Sequence, residues 1–302
     1  MVPLTFLSDL LSHIVYWPLF IFDRCLYRIS KKCYYKFQRS VCYTLMQLVP
    51  LEFNTGFMSA GYKILDRNDE EKLKLVLDNQ IWSDELKPHL CLYEKPLTFI
   101  RVYPELTDMD LLEVGCGQGM GLRWIHSAHP ELRSVRGIDL HINDDFDGRI
   151  VCGDAHQLPY DDESMDIVLN VESACEYADR VQFFREVKRV LRPGGYFAYT
   201  DSSHNDEALS VDFVVEPFDQ LQCMLTDVGF RRVAFVNINE NVIAMRDWLL
   251  RRGASVLSGA SVPFAMRVLR HNMLDVARTA YDECVHGHIV YFSSCWQKPI
   301  DD

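Results

Sequence analysis

A run of alternating glycines, Gly115, Gly117 and Gly119, directly follows a short apolar segment. Glycine at the end of a strand permits a tight turn and lets a ligand approach the backbone closely. A dinucleotide-binding turn would have its third glycine at position 120, which is Met120 in this chain. The spacing therefore favours a ligand that lays an amino-acid tail, rather than a pyrophosphate, against the turn.

An aspartate, Asp139, ends the next apolar segment, 20 residues after Gly119. A carboxylate at this place in a nucleotide-binding fold can accept hydrogen bonds from the ribose hydroxyls of an adenosine. Nicotinamide dinucleotides and S-adenosylmethionine share that ribose. Asp139 therefore predicts a nucleoside cofactor without selecting one.

Two later apolar segments also end in residues suited to ligand contact. Asp154 can accept a hydrogen bond from an adenine amino group, and the small Ala155 beside it leaves room for the ring. Asn170, Val171 and Glu172 end the following segment. Ligands of open α/β sheets bind at the carboxyl ends of the strands, so all five residues are candidates for one site.

The elements that must position these residues follow from the alternation of short apolar segments with helical ones, which begins near residue 110. This alternation predicts a parallel sheet with crossover helices. Only 14 residues separate Asp139 from Asp154, so a short loop without a helix is predicted there. The RPGG sequence at residues 192–195 should end the helix that is predicted at 181–191. Strands are predicted at 111–114, 134–140, 148–154, 165–171, 196–201, 231–238 and 287–296, and helices at 119–128, 181–191 and 216–230.

The predicted fold class is therefore α/β: a Rossmann-like, doubly wound, mostly parallel seven-stranded sheet. An N-terminal helical extension, residues 1–52, precedes the main domain, residues 53–302. A helical insertion at about 241–285 precedes the last strand. The insertion mixes apolar and arginine side chains, which is typical of a segment that packs on the sheet and partly covers an apolar pocket.

The N-terminal extension is hydrophobic and basic. Residues 14–22 are too short to span a bilayer, and Pro18 interrupts them. The following basic and aromatic stretch is typical either of peripheral membrane contact or of helices packed on the main domain. Both interpretations stay open, and a true membrane span is the least favoured of the three.

Composition narrows the class of protein further. The formal net charge is −12. An acidic chain argues against a nucleic-acid partner, because affinity for duplexes depends on cations at the phosphates. The 10 cysteines are scattered without zinc spacing, so no metal site is predicted and a cytoplasmic location is expected, with or without peripheral membrane contact.

Several sequences together resemble class I S-adenosylmethionine-dependent methyltransferases. They are EVGCGQG, GIDL, GDAHQLPYDDESMDIVLN and EVKRVLRPGG. NVESACEY, LCLYEK and FNTGFMSAGY are similar to the small-molecule branch that contains phthiotriolone ketone methyltransferases. That resemblance implies a lipid-like or polyketide-like acceptor. The branch has Ser-His-Cys-Tyr where this chain has Ala174-Cys175-Glu176-Tyr177, so a histidine of the branch is replaced by Cys175.

The resemblance implies S-adenosylmethionine as cofactor and assigns roles to matching residues. The glycine turn and Cys116 would surround the methionine moiety, with Glu113 nearby and Tyr93 closing over it. Asp139 would hold the ribose and Leu140 would lie by the adenine. The remaining cofactor candidates flank the adenine or line the wall beside the sulfonium: Asp154, Ala155, Asn170 and Val171.

Methyl transfer from a sulfonium is an in-line displacement that depends on proximity and orientation. A base is needed only when the acceptor must lose a proton. Glu172, Tyr177 and His204 lie at or after strand ends and are the candidates for contact with the acceptor or proton removal. The sequence thus predicts methylation of oxygen or carbon on a small apolar acceptor. A catalytically silent binding protein at a membrane or partner is the alternative, and a nicotinamide oxidoreductase is less favoured because of Met120.

Overall fold

Seven strands form one sheet in the computed structural model, which describes residues 59–142, 144–205, 217–256, 278 and 281–300. The strand order is β3-β2-β1-β4-β5-β7-β6, and β7 runs antiparallel to both of its neighbours while the other pairs are parallel. The strands are β1 (Asp110–Val114), β2 (Ser134–Asp139), β3 (Ile150–Cys152), β4 (Met165–Val171), β5 (Leu191–His204), β6 (Arg231–Asn237) and β7 (Ile289–Gln297).

The parallel strands β1 and β4 at the centre of the sheet are buried on both faces, whereas the edge strand β6 is largely exposed. Successive side chains of β1 point to opposite faces, so Leu111 packs in one apolar cluster and Leu112 in the other. The first cluster contains Leu122 and Trp124, and the second contains Phe183. β1 is therefore packed between two apolar layers, which fixes the position of the turn that follows it.

Helices cover the two faces. Asp179 accepts a hydrogen bond from the backbone N–H of Gln182 and caps one of them, while Gly229, with φ of 102°, ends another in the left-handed conformation. A short 3-10 helix, Ala174–Glu176, follows β4. The helices are α1 (Arg67–Lys72), α2 (Lys74–Leu77), α3 (Lys87–Leu97), α4 (Met120–Ala128), α5 (Arg180–Val190), α6 (Phe218–Val228) and α7 (Asn239–Val256).

The structure confirms the predicted α/β class and seven-stranded sheet. It also has no helix between Asp139 and Asp154 in the residues described there. The prediction for the fifth strand was wrong in its bounds. RPGG does not separate helix from strand, because β5 begins at Leu191 and a register shift opposite Met165 and Ile167 accommodates the extra residues as a bulge.

β5 is also longer than predicted at its other end. Ser202, Ser203 and His204 continue the strand by pairing with β7, so β5 ends at His204 rather than at residue 201 as predicted. The N-terminal extension, 1–52, and residues 257–277 of the predicted insertion lie outside the described residues. No helix in the described part of the chain is long and apolar enough to cross a membrane.

Candidate functional site

The turn after β1 needs glycine because of the protein's own packing. Gly115 has φ of 75°, and a Cβ there would lie 1.8 Å from Ser173 Oγ and 2.6 Å from the Tyr177 hydroxyl. The backbone N–H groups of Gly115 and Cys116 both donate to the carbonyl of Ile138, at 2.8 and 3.2 Å. The turn is therefore held between β2 and the segment after β4, with its backbone at the carboxyl edge of the sheet.

Asp139 ends β2 directly beside this turn. Its Oδ2 accepts the N–H of Gly117 at 2.7 Å, and its Oδ1 accepts the N–H of His141 at 3.1 Å. A carboxylate has about four acceptor positions, so both oxygens retain capacity for hydroxyl donors. Asp139 thus fixes the loop and can still hold a ribose.

Glu113 and Tyr93 lie together beneath the turn. Glu113 is 1% exposed, and neither carboxyl oxygen makes a hydrogen bond of standard geometry in the described part of the chain. Burial raises the pKa of Glu113 to about 8, with the Tyr93 hydroxyl opposing that shift and Asp139 adding to it. The Tyr93 ring covers the start of α4, where a Cβ on Gly121 would lie 1.9 Å from it.

The proposed adenine side of the site is more open. Leu140 is 59% exposed, whereas Ala155 is buried. Asp154 accepts from the backbone N–H of His156 at 2.9 Å and pairs with its Nδ1 at 2.6 Å. The hydrogen bond from the His156 backbone lowers the pKa of Asp154, so this side chain is an acceptor. Cys116 is buried against β2, so only its backbone faces the site.

Asn170 holds the site together from within. Its Nδ2 donates to the carbonyl of Val114 at 2.8 Å and to the Tyr177 hydroxyl at 3.3 Å, and its Oδ1 accepts the N–H of Ala174 at 3.2 Å. The side chain of Asn170 is fully buried, and that of Val171 next to it is buried. Asn170 therefore ties β1 to the 3-10 helix, and its amide is already used.

Glu172 follows β4 in a left-handed conformation, with φ of 50°. This conformation is unusual for a residue with a side chain and needs support from its surroundings. The backbone N–H donates to Thr200 on β5 at 2.8 Å, and Oε2 accepts the N–H of Ala60 at 2.5 Å. Burial raises the pKa of Glu172 to about 7, against the opposing effects of Ala60 and Arg246.

The three predicted catalytic residues do not all come together. The Tyr177 hydroxyl bonds to Ser173 Oγ at 2.8 Å, next to the glycine turn, and burial raises its pKa well above its usual value. His204 is buried on β5, four residues after Thr200. Thr200 pairs with Val171, the last residue of β4. At the usual strand rise this separation is about 13 Å. Glu172 and Tyr177 therefore border the turn, whereas His204 lies away from it.

Sequence reasoning did not assign three groups of this site: the backbone N–H of Ala60, the Arg246 side chain and the Tyr291 hydroxyl. Arg246 donates to Tyr291 at 2.6 Å and acts electrostatically on Glu172. No local spacing links positions 60, 172, 246 and 291. Only the pairing of β7 with β5 and the packing of α7 bring them together.

Comparison with known proteins agrees with this architecture. The family described as "Methyltransferase domain" matches residues 112–199. The phthiotriol/phenolphthiotriol dimycocerosates methyltransferase of Mycobacterium tuberculosis strain H37Rv is 39% identical over 166 residues, which cover 50% of this chain and 58% of that protein. The fatty-acid O-methyltransferase of Mycolicibacterium smegmatis is 43% identical over 206 residues, or 63% of this chain and 68% of that protein.

Solved structures share the fold. A putative sarcosine dimethylglycine methyltransferase from Galdieria sulphuraria superposes with a TM-score of 0.62 at 14% identity, covering 78% of this chain and 99% of that one. The geranyl diphosphate C-methyltransferase of Streptomyces coelicolor A3(2) gives a TM-score of 0.53 at 15% identity, covering 80% and 91%. Together with the sequence matches, the strand order and the glycine turn, these likenesses lead to one conclusion: the chain belongs to the class I S-adenosylmethionine-dependent methyltransferase family.

Proposed function

We propose that this chain binds S-adenosylmethionine across the carboxyl ends of β1, β2 and β4 and transfers its methyl group to a small, lipid-like acceptor at oxygen or carbon. The observation that carries the proposal is the convergence of the glycine turn, Asp139 and the buried Glu113 at one edge. Each group has a counterpart in the cofactor. Glu113 suits the α-ammonium, Asp139 the ribose hydroxyls, and Leu140 with Ala155 the adenine ring.

Charge also supports this cofactor over a dinucleotide. S-adenosylmethionine carries a sulfonium and an ammonium, whereas a nicotinamide dinucleotide brings a pyrophosphate dianion to the turn. Asp139 lies at this edge with Glu113 and Glu172, two carboxyl groups with raised pKa values whose ionisation a ligand cation would favour. An acidic, poorly solvated edge favours a cation and disfavours a pyrophosphate.

The reaction would need little from the protein beyond position and electrostatics. When bound, S-adenosylmethionine supplies an activated methyl group on a sulfonium. Tyr93, Asn170 and Val171 would hold the wall of the site in shape and exclude water. Glu172, with its pKa near 7, would contact the acceptor and take a proton where the acceptor has one to lose. Tyr177 would keep its proton and position the turn.

Lipid-like acceptors are proposed because the printed names of two relatives specify lipids, phthiotriol derivatives and fatty acids. The alignments cover 58% and 68% of those proteins, so their substrates are a guide for this chain rather than its description. The hydrophobic and basic N-terminus would suit delivery of such acceptors from a membrane surface.

The test is methyl transfer from labelled S-adenosylmethionine to a lipid extract, with products separated by chromatography. A discrete labelled lipid should form with the wild-type protein and fall at least about tenfold with Asp139→Asn, because a ligand hydrogen bond to a charged group is lost. Asp144→Asn, an exposed aspartate of the same loop, is the control. Binding without any labelled product would instead favour the catalytically silent binding protein.

A further inference from the structure

Hydrogen bonds connect the Glu172 carboxyl group to three distant parts of the chain. Glu172 Oε2 accepts the backbone N–H of Ala60 at 2.5 Å, and the carboxyl group also bonds to the Tyr291 hydroxyl. Tyr291, on β7, receives a hydrogen bond from Arg246 Nη2, on α7, at 2.6 Å. The segment before α1, helix α7 and strand β7 therefore meet at the residue that follows β4.

The chemistry of these groups fixes the direction of the bonds. A guanidinium has no acceptor atom, so Arg246 donates and the Tyr291 oxygen accepts. The hydroxyl has one proton, which it donates to Glu172. Burial raises the pKa of Tyr291 well above its usual value, so Tyr291 keeps that proton. A directed chain thus runs from a cation through a hydroxyl to a carboxylate, and each bond in such a chain strengthens the next.

The charges around Glu172 come from several elements. Asp201 on β5 opposes the ionisation of Glu172, whereas Arg246 favours it. Tyr93 on α3 and Cys284 before β7 also interact with Glu172, and burial raises the pKa of both, so both are neutral at pH 7. Among these described side chains, Arg246 therefore supplies the positive charge that stabilises the Glu172 carboxylate.

Glu172 is the member of this chain that an acceptor can reach. It remains partly exposed, whereas Tyr291 is only 6% exposed. The left-handed backbone of Glu172, with φ of 50°, is held by the hydrogen bond of its N–H to Thr200 at 2.8 Å. Backbone and side chain are thus both fixed, and part of the residue still faces outward at the carboxyl edge of the sheet.

We propose that Tyr291 and Arg246 are positioning residues for methyl transfer: their hydrogen-bond chain orients Glu172 and stabilises its carboxylate, which takes a proton from the acceptor. This inference rests on the proposed methyltransferase function and adds how its base is held. With a hydroxyl acceptor, an oxygen lone pair forms the O–CH3 bond as the S–CH3 bond breaks. The bonding electron pair stays on sulfur and the hydroxyl proton passes to Glu172, so a sulfonium and a carboxylate become a neutral thioether and a neutral carboxyl group.

The test is the titration of Glu172 itself in the full chain without ligand. Infrared spectra follow the C=O stretch of protonated carboxyl groups against pH, and subtraction of the Glu172→Gln spectra isolates the Glu172 band. Wild type should titrate near pH 7. In Tyr291→Phe the midpoint should move up by about one to two pH units, because a hydrogen bond to the charged form is lost.

A double variant distinguishes a connected chain from two separate effects. Arg246→Gln alone should also raise the midpoint. Added to Tyr291→Phe, the same substitution should raise it less, because the hydroxyl that connects the charge to Glu172 is already gone. Equal increases in the two backgrounds would overturn the chain, and so would unchanged midpoints in both single variants.

Methyl transfer from labelled S-adenosylmethionine to the lipid extract gives the second readout. The rate should increase with pH as Glu172 ionises, and this increase should move to higher pH in Tyr291→Phe. Glu172→Gln should lower the rate at least about 100-fold, as expected when a general base is removed. A wild-type rate in Glu172→Gln would overturn the proton transfer. A lower rate or melting temperature in Tyr291→Phe with both pH curves unmoved would show a merely structural role.

Two variants serve as controls and should give wild-type curves. Tyr196→Phe removes a hydroxyl from the same sheet, at a residue of β5 that pairs with Gln297. Arg232→Gln changes an exposed arginine on β6 that bonds to Gln222 at 2.6 Å. If one of the two single test variants does not fold, the other decides, because each breaks the chain at a different bond.

Calorimetry with S-adenosylmethionine separates this inference from the function on which it rests. Wild-type protein that binds no cofactor refutes the proposed function, and the infrared midpoints then still decide whether the chain acts on Glu172. Wild-type protein that binds the cofactor and forms a labelled lipid, with the same midpoint in Tyr291→Phe and Arg246→Gln, overturns the positioning roles alone.

Discussion

Two carboxyl groups at the same edge of the sheet have raised pKa values for the same reason but have different neighbours. Burial raises the pKa of Glu113 to about 8 and that of Glu172 to about 7. Glu172 receives the Ala60 N–H and feels the Arg246 charge, whereas Glu113 has Tyr93 and the nearby Asp139. The neighbours of Glu172 suit contact with an acceptor. The neighbours of Glu113 leave a carboxyl group whose ionisation a ligand cation would favour.

The ligand-free protein should lose stability as the pH rises through the titration of Glu113. Its pKa is about 8 in the fold and about 4.3 in an unfolded chain. Between those values the folded state retains a proton that the unfolded state releases, so the free energy of unfolding decreases with increasing pH. Glu113→Gln removes this titration, and its melting temperature should fall less between about pH 5 and pH 8 than that of wild type.

Thermal melting of wild type, Glu113→Gln and the control Glu105→Gln across this pH range measures the effect. Glu105 is exposed, so its substitution should leave the wild-type pH dependence in place. Glu172 also titrates with a raised pKa, so a shallower decrease is expected in Glu113→Gln rather than none. Equal slopes in all three proteins would refute the assignment.

Sequence reasoning predicted those residues of the candidate site that lie close together along the chain. Gly115, Gly117 and Asp139 belong to consecutive elements, and their types indicate their use. Arg246 and Tyr291 gave no such signal, because an arginine on a helix and a tyrosine on a strand are ordinary there. Their proximity to Glu172 depends on β7 entering the sheet between β5 and β6, which local spacing does not encode.

At the scale of elements, the connection from β2 to β3 contains no helix among its described residues. It is short, as predicted, and it leaves Leu140 59% exposed at the end of β2. A large apolar side chain in that position is consistent with a surface that a ligand covers. The start of β5 was not predictable from the sequence. Proline and glycine usually interrupt a strand, but here a bulge allows RPGG to lie within β5.

Leu140→Ala should weaken S-adenosylmethionine binding by about three- to tenfold, since the truncated side chain buries less apolar area against the adenine. The unfolding free energy should change by less than about 0.5 kcal/mol, as is usual for exposed positions. Val102→Ala, at a residue 44% exposed, is the matched control for both measurements. Calorimetry and thermal melting report the two quantities. Unchanged affinity would show that Leu140 does not contact the cofactor.

At the scale of the whole molecule, charge is unevenly distributed along the sequence. The formal net charge is −12, although residues 1–50 are basic. The acidic remainder agrees with a cationic cofactor and with the absence of a predicted nucleic-acid partner. Membrane contact through the N-terminus stays a prediction, since residues 1–52 lie outside the described part of the chain.

The central claim is that the acidic edge formed by the glycine turn, Glu113 and Asp139 binds S-adenosylmethionine rather than a nicotinamide dinucleotide. Calorimetric titration of the full chain with S-adenosylmethionine and, separately, with NADH tests it most directly. We predict saturable binding of S-adenosylmethionine, no binding of NADH, and a Kd raised about 10- to 100-fold in Asp139→Asn. No heat with millimolar S-adenosylmethionine, or an unchanged Kd in Asp139→Asn, would contradict the account.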